Sequence, residues 1–475
     1  MSLLSINNLS IHAGEKCLLE PISFTLDKKE RLVILGQTGA GKSLIAQAIM
    51  GNLSPQLSLN GELHLFDQVI NDKALQRSLW GKKMSLLPQE PWNSLDPLMP
   101  VNKQLASTYQ LVAKRTLAEA NEQAHQRLHT LGLGHSSHQR VHELSGGMAQ
   151  RVALACAMAG GASLLLADEP TKGLDASRRN QVVQELLSQT QDGALLLITH
   201  DVDVARQVDG RVLVIKEGQL VEAGTSNTIF DHAKHDYTRT LIAADPKNWP
   251  SPHSSHKKQP KQTASSTVLN IDQLAIGRGN QPLLTDLSLT MQAGEIIGVV
   301  GDSGCGKSTL GDTLLGLIPA LSGTITRHSQ AAPYRWQKLY QDPTAAVTHS
   351  VSLNTLLHDL VKRYGIKQND IKPLMERLDL NDTLLQRTAS NVSGGELQRF
   401  CLLRALLLKP VFLFADEPTS RLDPITAKDV SALLVDVAKE THCSVILVSH
   451  DQQMVQKRCD HVLTLSTDNP TPLSL

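Results

Sequence analysis

The chain has 475 residues, enough for two domains with substantial cores, and its 46 Lys and Arg balance its 46 Asp and Glu. No bulk field therefore favours a nucleic acid or an acidic membrane surface. The six cysteines (Cys17, Cys156, Cys305, Cys401, Cys443 and Cys459) are scattered without a CxxC pair, as a reducing cytosol tolerates, which argues against a disulfide framework.

The chain opens with MSLLSINNLSIHAGEK, which has neither the basic region nor the apolar stretch of a signal peptide. Arg31 to Leu35 reads as a strand running into GQTGAGKS, with a helix opening at Lys42. In this loop (Gly36, Gln37, Thr38, Gly39, Ala40, Gly41, Lys42, Ser43) the glycines let consecutive N–H groups face the phosphates of a nucleotide at a helix N-terminus. Lys42 adds a point charge, and Ser43 offers a hydroxyl to Mg²⁺.

Gln89 follows, in PQEPWNSLDPLMPV; Trp92, Leu95, Leu98 and Met99 there are apolar residues in a proline-rich loop, a candidate socket for a partner helix. Thr116 to Leu131 has helix-forming composition, then comes LSGGMAQR, with Ser145, Gly146 and Gly147. Val152 to Ala167 is the most apolar window, yet it holds Gly160 and Gly161 and falls short of a membrane span; it predicts a buried helix end followed by a strand. That strand closes on Asp168 and Glu169 in SLLLADEPT, the first placed to reach a metal, the second to take a proton from an attacking water. Gly193 to Thr199 is a further strand, ending at His200-Asp201.

Lys247 to Thr267 has three prolines, four lysines and no acid, and predicts a flexible linker; His253 and His256 within it read as solvated. The whole order then recurs. A strand from Glu295 to Val300 enters GDSGCGKS (Gly301, Asp302, Ser303, Gly304, Cys305, Gly306, Lys307, Ser308), with Thr309 next. Gln341, a helical stretch from Ile371 to Leu380, VSGGELQR (Ser393, Gly394, Gly395), VFLFADEPT (Asp416, Glu417) and a strand closing on His450 come after it. Such distant copies are whole domains rather than stacked repeats. From Lys42 to Leu144 is 102 residues, against 85 from Lys307 to Val392; most of that deficit lies before Gln341, and the helical insert of the second copy is expected to be trimmed.

A phosphate loop, an LSGG signature and an apolar strand ending in Asp-Glu, in that order and twice, resemble the ATP-binding cassette (ABC) family over nearly the entire chain. The resemblance implies an α/β fold of two tandem P-loop ATPase domains, 1–246 and 268–475, around the 247–267 linker. Each would have a mainly parallel sheet, an antiparallel β subdomain and a helical subdomain; the second would lack the first one's C-terminal tail. It implies ATP and Mg²⁺ as cofactors. It makes Glu169 and Glu417 the groups that handle the attacking water, His200 and His450 the switch histidines, and Gln89 and Gln341 the glutamines that sense metal and water. Ser43, Gln89, Asp168, Ser308, Gln341 and Asp416 would face the metal. The signature residues would donate to the γ-phosphate held by an opposite cassette, so that one chain supplies two composite sites.

The family's adenine-stacking aromatic is missing from Ile11 to Lys16 and from Ile276 to Gln281, where His12 and Arg278 are the substitutes. The run after Gln89 and the segment VEAGTSNTIFDHAKHDYTRTLIAADP are similar to ATPases of dipeptide, oligopeptide and nickel importers. That resemblance implies a peripheral subunit on the cytoplasmic face of a bacterial inner membrane, partnered by two permease subunits and, through them, an extracytoplasmic binding protein, with no nucleic acid. Two-cassette translation factors and sugar-importer ATPases also fit the length; the former join their cassettes by a long charged helix, which the Pro/Ser-rich tract does not resemble.

Overall fold

Runs such as RLVIL and ALLLIT carry branched apolar side chains on both faces, a pattern that only a sheet covered on both sides can bury. In the computed structural model, which describes residues 2–89, 94–174, 176–250, 266–279, 281–301 and 304–465, these runs are the centres of two parallel sheets. The chain divides into two compact units, Met1–Ile242 and Ala243–Leu475.

In the first unit, β1 (Ser2–Ala13) and β2 (Lys16–Asp27) form an antiparallel hairpin; β3 (Arg31–Leu35) leads through the phosphate loop into α1 (Lys42–Met50). Then come β4 (Leu57–Leu65), β5 (Gln68–Val69), α2 (Lys73–Ser78) and β6 (Met84–Leu87). The helical part comprises α3 (Val101–Leu111) and α4 (Leu117–Thr130), the latter opened by a reciprocal Thr116–Glu119 capping box. The signature opens α5 (Gly146–Met158), followed by β7 (Leu164–Asp168), α6 (Ala176–Gln189), β8 (Ala194–Thr199) and α7 (Val202–Val208). The unit closes with β9 (Arg211–Lys216), β10 (Gln219–Thr225), α8 (Ser226–Asp231) and α9 (Asp236–Ala243). The main sheet runs β10-β9-β3-β8-β7-β6, parallel except for β10, and a second, antiparallel sheet runs β2-β1-β4-β5.

The second unit repeats the plan. β11 (Thr267–Arg278) and β12 (Gln281–Gln292) precede β13 (Ile296–Gly301), α10 (Lys307–Leu314), β14 (Ser322–Arg327) and β15 (Trp336–Leu339). α11 (Leu353–Tyr364), α12 (Gln368–Arg377) and α13 (Asp382–Leu385) form the helical part. Next are α14 (Gly394–Leu407), β16 (Phe412–Asp416), α15 (Pro424–Thr441), β17 (Ser444–Val448), α16 (Gln452–Arg458) and β18 (His461–Leu465). The parallel sheet is β15-β16-β17-β13-β18, and the antiparallel one β12-β11-β14.

Two features refine the expected plan. Most of the second copy's shortfall lies before Gln341, and only a small part of it in the helical subdomain. Lys42 to Gln89 spans 47 residues and Lys307 to Gln341 only 34, because nothing between β14 and β15 corresponds to β5 and α2. The tract expected to be a linker also starts too early. Pro246–Asn248 is a helical turn, and Trp249, only 4% exposed, joins the core of the second unit with the Arg458 guanidinium 4.3 Å from its ring centroid. A lone tryptophan among prolines and serines gave no periodicity from which its burial could be read. His253 and His256 lie outside the described residues.

Candidate active site

The phosphate loops, the Asp-Glu pairs, the histidines and the glutamines fall at the carboxyl edge of a parallel sheet, where open α/β folds bind ligands. In the first unit the phosphate loop leaves β3, Asp168 ends β7, His200 follows β8 and Gln89 follows β6. The loop needs glycine at its entrance: a Cβ on Gly36 would stand 2.2 Å from the carbonyl oxygen of Ile215 on β9. Gly41, with φ +93°, turns the backbone into α1 through a conformation that only glycine adopts readily. Lys42 Nζ donates to the carbonyls of Gly36, at 2.7 Å, and Gln37, at 2.8 Å, which fixes the ammonium at the mouth of the loop.

Glu169 is placed by backbone strain. It leaves β7 with φ +49°, and its N–H bonds to the carbonyl of Ile198 on β8 at 2.8 Å. A left-handed non-glycine residue at a strand end is a feature that collects at functional sites. Its carboxylate stands 3.7 Å from Lys42 Nζ, with side chains only 5% and 8% exposed, and takes a 2.8 Å hydrogen bond from His200 Nδ1. Burial opposes the charge on Glu169, but the paired His200 together with Lys42 and Lys172 outweighs it and holds the carboxyl below its ordinary range. His200, also buried, is held above the ordinary imidazole value by the same carboxylate. Asp168 behaves oppositely: burial pushes its carboxyl up against a hydrogen bond from Ser43, and its Oδ1 is buried with no hydrogen-bond partner.

The second unit matches this residue by residue. Lys307 Nζ donates to the Gly301 carbonyl at 2.7 Å, and Glu417, with φ +48°, bonds through its N–H to Val448 at 3.0 Å. Its carboxylate is held by His450 Nε2 at 2.6 Å and by the Gln341 amide at 2.8 Å. Burial raises the Asp416 carboxyl against a hydrogen bond from Ser308 and the charge of Lys338. Cys305 is buried beneath the loop, and Thr309 is buried on α10. Asp302 and Ser303 lie outside the described residues, as does Asp175 after the first Asp-Glu pair.

The signature residues stand elsewhere, at the N-termini of α5 and α14. Ser145 caps α5 by accepting from Met148 N–H, while Ser393 and Glu396 form a full capping box. Of the described socket residues, Leu95 is buried, Met99 is half-buried and Leu98, 78% exposed, faces outward; Trp92 lies outside the described residues. His12 and Arg278 sit at the ends of the β1–β2 and β11–β12 hairpins, paired with Cys17 and Gln281.

Two residues of this neighbourhood escaped sequence reasoning. The Tyr237 hydroxyl, on α9, accepts a 2.9 Å hydrogen bond from the phosphate-loop N–H of Gln37, a contact across 200 residues that no local pattern signals. Lys338, on β15, becomes visible only when the two copies are aligned, where Leu86 is its counterpart.

A family profile described as ABC transporter matches residues 19–172 and 284–420. The chain is similar to a peptidoglycan transport ATP-binding protein, YejF, of Agrobacterium fabrum (32% identity over 98% of this chain and 91% of that one). It is also similar to a glutathione import ATP-binding protein, GsiA, of Salmonella choleraesuis (31% identity over 96% and 83%). Among solved structures, an RNase-L inhibitor superposes with a TM-score of 0.65 at 20% identity, over 96% of this chain and 87% of that one, a likeness of fold. No helix among the described residues is long and apolar enough to cross a membrane.

Proposed function

We infer from its place in the ABC transporter family, to which this chain belongs, that it is the ATP-hydrolysing component of a membrane importer and that both of its phosphate-loop sites turn over ATP. The observation that carries this is the pair of strained glutamates. Each is buried at the carboxyl edge of its sheet and hydrogen-bonded to a histidine, within reach of the γ-phosphate end of the loop. Lys42 and Lys307 bind the phosphates, Glu169 and Glu417 take the proton of the attacking water, and His200 and His450 orient those carboxylates.

The donor set fits Mg²⁺. Asp168 with a free buried oxygen, the Ser43 hydroxyl beside it, and the matching Asp416 and Ser308 are the hard oxygen ligands that this ion takes with phosphate, and Gln89 and Gln341 stand at the same edge. When bound, it neutralises charge developing on the transferred phosphoryl group. The signature serines and glycines are read as donors to a γ-phosphate held by another cassette.

For the cargo, the relatives named for peptidoglycan and glutathione transport favour solutes built from amide-linked amino acids; nickel finds no support among them. Permeases and an extracytoplasmic binding protein complete the system at the inner face of a bacterial membrane, with Leu98 on the docking side. Membrane vesicles carrying the neighbouring permeases should accumulate labelled glutathione or short peptides only with ATP and this chain. Pelleting with ribosomes instead of with those membranes would overturn the importer reading.

A further inference from the structure

The histidine read as orienting Glu169 sits in a small hydrogen-bonded frame. His200 lies between Thr199, the last residue of β8, and Asp201, which caps α7. The Asp201 N–H donates to Thr199 Oγ1 at 3.0 Å across the histidine, and Asp201 Oδ1 accepts from the Val204 N–H at 3.0 Å. Arg179 of α6 fastens this frame from outside. Its guanidinium donates to Asp201 Oδ2 at 2.8 Å and reaches Asp203 Oδ2 at 3.5 Å, with the Arg179, Asp201 and Asp203 side chains 24%, 23% and 14% exposed. One planar fork thus holds two carboxylates of α7 largely out of bulk water, where such a contact fixes geometry better than an exposed pair does.

The second unit keeps the frame and lacks that arginine. Ser449 Oγ accepts from the Asp451 N–H at 3.0 Å, and Asp451 Oδ1 from the Met454 N–H at 3.0 Å, around His450. Counted from the aspartates of KGLD and SRLD, Arg179 corresponds to Ala427; Asp203, three residues beyond the histidine, corresponds to Gln453. Asp451 and Gln453 are both exposed. There α15 and α16 are joined by Arg458, at the end of α16 remote from His450, which donates to Ser431 Oγ at 3.2 Å and to the Lys428 carbonyl at 3.4 Å.

The 2.8 Å contact between His200 Nδ1 and Glu169 survives only if the imidazole keeps its place. α7 has seven residues, too few to hold its own first turn firmly. α6 is a better platform: it has fourteen residues, and Val182, Val183 and Leu186 bury its inner face. We propose that Arg179 is a positioning residue for hydrolysis at the first site, holding His200 against Glu169 through Asp201 and Asp203, and that the second site works without this clamp. The proposal rests on the reading of Glu169 and His200 as the groups that handle the attacking water.

Phosphate release from the full-length chain tests it, with the first site read in Lys307→Ala and the second in Lys42→Ala. Arg179→Gln should lower kcat at the first site roughly ten- to a hundredfold, as a small misplacement of a catalytic group does, with KM for ATP within about twofold and the second site unmoved. Arg179→Lys keeps a cation for Asp201 and should recover most of that loss. An unchanged kcat, or a loss that lysine does not recover, overturns the proposal and leaves Arg179 as a staple between α6 and α7. So does a loss matched by an equal fall in the amount of nucleotide bound. If Arg179→Gln does not fold, the reciprocal graft decides: Ala427→Arg with Gln453→Asp builds the clamp beside His450 and should raise kcat at the second site at unchanged KM, and an unchanged rate overturns the proposal. Glu169→Gln is measured alongside. Normal first-site turnover in that variant overturns the hydrolytic reading and this proposal with it, whereas an inactive Glu169→Gln beside a fully active Arg179→Gln overturns this proposal alone.

Discussion

In the first unit Glu169 takes its histidine through Nδ1 and lies near Lys42, whereas in the second Glu417 is shared between His450 Nε2 and the amide of Gln341. The backbone beneath both carboxylates is the same: a left-handed residue whose N–H is tied to the neighbouring strand. The fold thus sets where the glutamate stands, and the surrounding side chains set how it is held. The phosphate loops differ in the same way. The first is braced by the chain beyond β9, the Gly218 N–H donating to Ala40 O at 3.1 Å and the Tyr237 hydroxyl meeting Gln37, while the second unit is described only as far as β18.

The largest test of the likeness is chemical. Glu169→Gln and Glu417→Gln should each lower ATP turnover at their own site by about 10²–10⁴-fold while nucleotide binding persists, because the phosphate loops are untouched. Phosphate release with the other site disabled measures this. Near-normal turnover in either variant would leave only one hydrolytic site.

A second test concerns the adenine end, where both hairpins lack an aromatic. Stacking on an aromatic ring contributes about 1–3 kcal/mol per base, and 1.4 kcal/mol is about tenfold in affinity. Ala13→Tyr or His12→Tyr should therefore tighten ATP at the first site and sharpen discrimination against GTP. Arg278→Ala should loosen ATP at the second. Fluorescent-nucleotide titrations that show tight, ATP-selective binding unmoved by all three would place adenine against some other group.

The coupled Glu169–His200 pair also makes the first unit sensitive to pH. His200 is held above its ordinary value, so its contribution to stability is complete below about pH 6.5 and is lost as pH rises through the raised value. Glu169 is held below its ordinary range, so its contribution is complete above that range and is lost on acidification. Thermal unfolding of the wild type should show that window, and His200→Asn should flatten its alkaline side. A variant with an unchanged pH profile would show that the pair is not charged in the folded protein.

Much of this architecture was legible because motifs that must contact phosphate leave little choice of residue. Glycine is required where Ile215 O closes on Gly36, a lysine must follow the loop, and carboxylates must end β7 and β16. Strand positions came through to within a residue, since fully apolar runs of five or six had to be sheet interior. Contacts made across the fold were not legible. Trp249 finds Arg458 more than two hundred residues away, and Leu95 looks like a surface residue in its proline-rich loop yet is buried. The length difference placed most of the loss before Gln341 but could not say that β5 and α2 were the elements missing, because a shorter segment says how much is lost and not which element.

The smallest expected effect is the one that most sharply divides the two units. Tyr237 is buried, its ring lies 5.6 Å from the Lys216 ammonium, and the turn before it is pinned where Glu222 accepts from the N–H groups of Lys234 and His235. The hydroxyl therefore reaches Gln37 from a fixed platform. Tyr237→Phe keeps the ring and removes the acceptor, and a hydrogen bond of this kind contributes about 0.5–1.5 kcal/mol net. ATP affinity at the first site should fall by roughly two- to tenfold, with turnover at saturating ATP and thermal stability little changed. The second site, read with Lys42→Ala in place, should not respond. If affinity stays constant while the melting temperature drops, Tyr237 merely packs α9 against the unit. If both sites weaken together, the tail acts on the whole chain and the contrast between the two loops dissolves.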